Sequence, residues 1–160
     1  MGTLKSDFAN GKRTFPMPSG SESVEVRAEI TLAAALALND VLYFGDLPDG
    51  CVVTDWALDS DDVDTGATLT VDLGLLNAAG SAVSSAAADG GKWLTNSTAP
   101  RAASVTRMSA GTVAEQTALA RMSPTSTPRK VGAVVTAGGA GGVANKVGLT
   151  VRYRAANGNN

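Results

Sequence analysis

Histidine is absent from the 160-residue sequence, and cysteine occurs once, at Cys51. The first absence excludes Ser-His-Asp and Cys-His nucleophilic machinery and every imidazole-ligated zinc site. The second excludes an internal disulfide and any thiolate cluster. Aromatic residues make up only 4% of the chain against 44% hydrophobic, so the apolar fraction is largely Ala, Val and Leu. Small side chains of this kind suit sheets packed closely on one another. No apolar run approaches the roughly 18 residues of a membrane span. A net charge of −2 gives no general electrostatic footprint for nucleic acid. The first stretch, MGTLKSDFANGKRTF, lacks the apolar region of a secretory signal. Synthesis in a reducing cytoplasm is therefore expected.

What is present is alternation. Ala67, Leu69, Val71, Leu73 and Leu75 alternate with Thr68, Thr70, Asp72 and Gly74, the period of a strand with one face on a core. Upstream, Val52, Thr54, Trp56 and Leu58 are expected to face one way, and Cys51, Val53, Asp55 and Ala57 the other. The acidic SDDVDTG between them reads as a turn, so Cys51 to Leu76 is expected to form a hairpin. Strict alternation from Val24 to Leu32 predicts an antiparallel strand with Glu25, Arg27, Glu29 and Thr31 on a wet face. A short strand over 41–46 and a Leu47-Pro48-Asp49-Gly50 turn follow. At the end, KVGAVVT and KVGLTVRYR flank a glycine-rich AGGAGGVAN, which predicts a second hairpin.

Little helix is expected. SAVSSAAADGG has room for a helical turn or two before Gly90 and Gly91, and Trp93 with Leu94 must bury, plugging one end of the core. TVAEQTALARM carries a Thr112-x-x-Glu115 capping box and reads as a short helix, although a strand fits nearly as well. The whole predicts a jelly-roll-like antiparallel β-sandwich, all-β, over residues 22–156, with a frayed tail at 157–160. Residues 1–21 read as an extended N-terminal arm, with Pro16, Pro18 and several glycines but no periodicity. Phe8 and Phe15 in this arm either anchor another surface or fold back onto their own sheet. Lys12 and Arg13 form their polar rim.

Three motifs carry possible chemistry. Asp64-Thr65-Gly66-Ala67 matches the nucleophile triplet of dimeric aspartic proteases, in which two carboxylates share a proton. It follows a polar run rather than a buried strand, and no hydrophobic-Gly-Arg element accompanies it, so a turn is the stronger reading. Asp59, Asp61, Asp62 and Asp64 offer oxygens to a cation, without the spacing of an EF-hand. Gly139 to Ala144 fits a loose dinucleotide fingerprint but leads into a strand, not a helix, and reads as a floppy loop that orders against a neighbour. A sugar- or host-binding jelly roll is a further reading. It requires exposed aromatics, with Trp56 and Trp93 the only candidates, and is ruled out if both are buried. No catalytic, cofactor-binding or metal residues are assigned, and no enzyme activity is expected.

FGDLPDGCVVTDWALDSDDVDTGATLTVDLGLLNAAG resembles a segment of tailed-bacteriophage head decoration, or cement, proteins. In these a Leu-Pro-x-Gly turn precedes a strand, an Asp-rich tip and Leu-Thr-Val-Asp-Leu-Gly-Leu-Leu. The closing VGAVVTAGGAGGVANKVGLTVRYR is similar to the last hairpin of that group. The resemblance implies a small jelly-roll protein on the outer surface of the virion, bridging major capsid subunits and stabilising the shell. Its implied partners are the major capsid protein and further copies of itself, as a homodimer or homotrimer. Neither nucleic acid nor membrane is expected as a partner, and no cofactor. Phe8, Lys12, Arg13 and Phe15 are the candidate capsid contacts.

Overall fold

The computed structural model describes residues 1–156; the tail expected at 157–160 lies outside the described residues. Among the described residues nine strands form: β1 (Thr3–Lys5), β2 (Ser23–Thr31), β3 (Val41–Leu47), β4 (Cys51–Ser60), β5 (Thr70–Leu75), β6 (Lys92–Ser97), β7 (Ser104–Arg107), β8 (Arg129–Ala137) and β9 (Lys146–Ala155). One α-helix, α1 (Val113–Ala120), and three single 3₁₀ turns lie between β5 and β8. The sheets run β1-β3-β8-β5-β6 and β2-β9-β4-β7. Strands β2 to β9 thus take the jelly-roll order, four to a sheet, and every pairing is antiparallel except the parallel addition of β1 to β3. The expected all-β sandwich is the fold.

Both expected hairpins are crossings between sheets. β4 lies in one sheet and β5 in the other, and so do β8 and β9. Alternation reports which face of a strand is buried, and it reads the same whether the next strand is a lateral neighbour or sits across the core. The links 61–69 and 138–145 are long enough to span the about 10 Å between packed sheets. They lie side by side and are bonded together. Thr65 N–H donates to Ala140 O at 2.8 Å, and the Thr68 hydroxyl donates to Gly138 O at 2.9 Å. The buried Asp64 carboxylate accepts four backbone N–H groups: Gly66 and Ala140 at 2.9 Å, Thr68 and Leu69 at 2.6 Å. Gly142 adopts φ +79°, and a Cβ there would lie 2.5 Å from Val63 O, so the close approach of the crossings needs glycine.

Inside the sandwich, Trp56, Trp93, Tyr153 and Phe44 are at most 2% exposed among a bed of Leu and Val. The two expected faces of β4 are mixed by a register shift between Val53 and Asp55. Cys51 and Val53 point inward before it, Trp56 and Leu58 after it. On β5 the outer face is not wet. Asp72 is 5% exposed because Lys92 pairs with it and Asn96 N–H donates to it at 2.8 Å. The capping box forms as expected: Thr112 accepts from Glu115 N–H, Glu115 accepts from Thr112 N–H, and α1 sends Leu119 into the core from one flank.

Residues 1–21 close the opposite flank rather than standing apart. β1 extends the sheet beside β3, and Gly2 N–H donates to the buried Asp40 carboxylate at 2.5 Å. Ser6 is buried; its hydroxyl donates to Phe44 O and accepts from Phe8 and Ala9 N–H. The chain from Ser6 onward, here termed the strap, then crosses to Tyr153, whose hydroxyl donates to Pro16 O at 2.7 Å. Phe15 stacks on Tyr153 at 5.9 Å and meets Phe8 edge-on at 5.0 Å. Its ring fits because Gly45, at a register shift in β3, lacks a side chain: a Cβ there would lie 2.7 Å from Phe15 Cε1.

Two outcomes follow from this packing. Gly45→Ala is expected to displace the strap and destabilise the chain by about 1–3 kcal/mol, the usual cost of overpacking, measured by chemical denaturation. The Asp64 carboxyl, held down to about 2 by the amides that bond its charged form, stabilises the fold fully above its unfolded value near 4. That contribution is lost as pH falls toward about 2. Asp64→Asn, which sets an NH₂ against backbone donors, is expected to lower Tm at neutral pH and to flatten its fall over that acid window.

Candidate docking surface

The strap carries the expected contact residues, and the structure separates them. Phe15 is 7% exposed and belongs to the core, so of the two readings of these aromatics the folded-back one describes it. A direct contact by Phe15 would require the strap to leave its flank. Phe8 is half-buried, with the Arg13 guanidinium 4.7 Å from its ring centroid, a cation–π contact that keeps both groups together at the surface. Lys12 is exposed and pairs with Asp7 at 3.0 Å, and Lys12 and Arg13 N–H groups both donate to Asp7 O. A groove runs beside this cluster, with Lys5, Asp7, Phe8 and Arg13 on one side and Arg27, Glu29 and Thr31 of β2 on the other.

The outer face of the β2-β9-β4-β7 sheet is a lattice of opposite charges. Arg27 forks onto Asp59 at 2.5 and 3.2 Å and reaches Glu29 at 2.8 Å; Lys146 also reaches Glu29, and Arg152 reaches Glu25 at 2.7 Å. These contacts raise the pKa of Arg27 through Asp59 and then Glu29, and lower that of Glu29 through Lys146 and then Arg27. Gly148 lies beneath the Arg27–Asp59 bridge, where a Cβ would come within 2.6 Å of both partners. The backbone of β9 is thus the floor over which the bridge is laid.

The residues with reactive potential are placed in structural roles. Asp64 spends both oxygens on backbone amides, whereas the protease chemistry needs a carboxyl free to share a proton with its twin. Asp59 holds Arg27, Asp61 accepts Lys146 N–H at 2.8 Å, and Asp62 accepts Asp64 N–H at 3.3 Å. Among the described residues no group of His, Cys, Asp and Glu is arranged to hold a metal ion. Gly139 to Ala144 lies in the second crossing and orders against Val63 to Thr68 of its own chain. Trp56 and Trp93 are 2% and 1% exposed, so the aromatic surface that a sugar-binding reading requires is absent from both.

Two arginines of the second half of the chain bond inward to backbone carbonyls. Arg101 donates to Leu69 O at 2.7 Å, and Arg129 is a largely buried guanidinium donating to Cys51 O at 2.9 Å. Burial lowers the Arg129 pKa, with Asp89 opposing that shift. Sequence reasoning missed Arg129 and the carboxylate of Asp64 as internal ties. The Asp-x-Gly spacing of Asp64 and Gly66 was the available signal for the second, as an Asx turn. For Arg129 there was none, since its partners are backbone carbonyls and one distant carboxylate.

Neither a family model nor a curated protein sequence matches the chain. Two solved structures do. A chain of the cyanophage Pam1 capsid asymmetric unit superposes with a TM-score of 0.59 over 89% of this chain and 94% of its own, at 20% identity, which shows a shared fold. A chain of the capsid of Ralstonia phage GP4 superposes with a TM-score of 0.75 over 98% of this chain and 99% of its own. With 30% identity maintained along virtually the full length of that GP4 chain, the present chain belongs to the same family of phage capsid proteins.

Proposed function

We propose that this capsid-family protein is a decoration protein: it binds the outside of a tailed-phage head and bridges major capsid subunits, in association with further copies of itself. The observation that carries this reading is the strap. Phe15 and Ser6 fix it to the sandwich from within, and Phe8, Lys12 and Arg13 are presented on its outer side. An apolar aromatic ring beside a planar cation is a pairing that interface cores favour, since they are enriched in aromatic residues and arginine. A pre-folded strap also loses little conformational freedom on docking. The sandwich behind it supplies stiffness, since both sheet crossings are bonded together. Binding only to the assembled shell stabilises that shell by mass action.

Removing residues 1–20 would take β1 and Phe15 out of the fold, so point substitutions are the cleaner test. Phe8→Ala and Arg13→Glu, checked for native stability, are expected to weaken binding to heads lacking the protein by about tenfold or more, the range of hot-spot residues. Cosedimentation or electron microscopy of decorated heads measures the effect. Undiminished binding by both variants would remove the strap from the interface, and absence of binding by the unaltered chain would refute the decoration role itself.

A further inference from the structure

Among the described residues, each sheet ends in strands without a further strand beside them, and the β1, β6 and β7 edges are blunted. β1 has three residues and β7 four. β6 has two register shifts against β5, and Asn96 within it adopts φ +48°. β2 is different: nine residues, in unbroken register with β9 from Ser23 to Thr31, without proline or bulge. A long, regular, solvent-facing edge is what folded proteins ordinarily avoid, because it templates pairing with another strand.

The direction of its free groups can be derived. In the register of β2 with β9, Leu32 N–H donates to Asn145 O at 2.9 Å, so even-numbered residues bond toward β9. Ser23, Glu25, Arg27, Glu29 and Thr31 therefore turn their N–H and C=O groups outward. Among the described residues no hydrogen bond reaches those groups. Their side chains lie on the charged outer face, while Val26, Ala28 and Ile30 face the core.

We infer that the β2 edge seats β2 of a second copy of this chain, antiparallel, about a two-fold axis at Val26. Odd residues must oppose odd residues for the outward groups to bond, which leaves three central registers. Centring on Arg27 sets Arg27 against itself and Glu25 against Glu29, a repulsive arrangement. Centring on Val26 sets Glu25 opposite Arg27 twice, and centring on Ala28 sets Arg27 opposite Glu29 twice. Lys5 of β1 and Asp7, Phe8 and Arg13 of the strap line a groove along the Arg27–Thr31 half, so the Val26 register is the more open one. The contact is isologous, uses one patch from each copy, and merges two four-stranded sheets into one of eight strands. It specifies the self-association within the proposed function and rests on that reading only for its setting on a capsid.

The test is the mass of the full chain by light scattering and sedimentation. The expected result is twice the 16.1 kDa of one chain. Glu25→Pro removes an outward N–H without touching the bonds to β9. Glu25→Lys, at a side chain 54% exposed, sets like charges across the seam twice. Both are expected to return the mass to one chain or to weaken pairing by about tenfold or more, with the near-ultraviolet signal of the buried tryptophans retained. A monomer or trimer mass for the unaltered chain, or a dimer indifferent to Glu25→Lys, overturns the inference. Head binding is a separate measurement: a monomer that still decorates heads refutes the β2 contact alone, and a dimer that does not bind them refutes the decoration role alone.

Discussion

The carboxylate of Asp64 is the constraint on which the sandwich depends. A sheet-to-sheet crossing exposes backbone donors that no ladder can satisfy, and leaving them buried and unpaired is costly. Here one side chain answers for both crossings, drawing Gly66, Thr68 and Leu69 from the first and Ala140 from the second onto two oxygens. The glycine-rich 138–145 segment can approach because it has few side chains to hold it off. What looks in the sequence like slack is the means by which two loops become one structural unit.

The flanks are closed by different means. On one side a capped helix inserts Leu119, and on the other the strap inserts Phe15 between the sheets, beside a glycine that leaves room for the ring. The strap is therefore part of the core on its inner side and part of the outer surface on the other. This division explains why aromatic residues so scarce in the chain occur twice within eight positions near its start: one builds the flank and the other faces outward, beneath an arginine. The charged sheet face follows a similar economy, since each long cation lies across a neighbouring strand and covers it while pairing.

How much of this was legible in the residues depends on what each pattern reports. Alternation located β2, β5 and β9, short apolar runs bounded by turn formers located β3 and β8, and Thr112 with Glu115 located α1, because these signals are local. Pairing partners were not legible: β4 and β5 read as a hairpin although each sits in a different sheet. The bulge in β4 escaped notice because Val52, Val53 and Thr54 are all acceptable on either face. Asp72 read as a wet position and is covered because Lys92 comes from a strand twenty residues on. Phe8 and Phe15 could not be apportioned between surface and core, since the deciding contact is the missing Cβ of Gly45.

The jelly-roll order has a kinetic consequence. Of the consecutive strands, only β5 and β6 are bonded neighbours; β2 must wait for β9, emerging from synthesis with Val24 to be matched to Tyr153. Loop closure over such separations is entropically expensive before any contact rewards it, which places sandwiches of this type among the slower folders. The nascent chain thus spends its longest interval with β2 lacking the strand that will shield one of its sides, and the charges along that strand serve first as guards against premature aggregation.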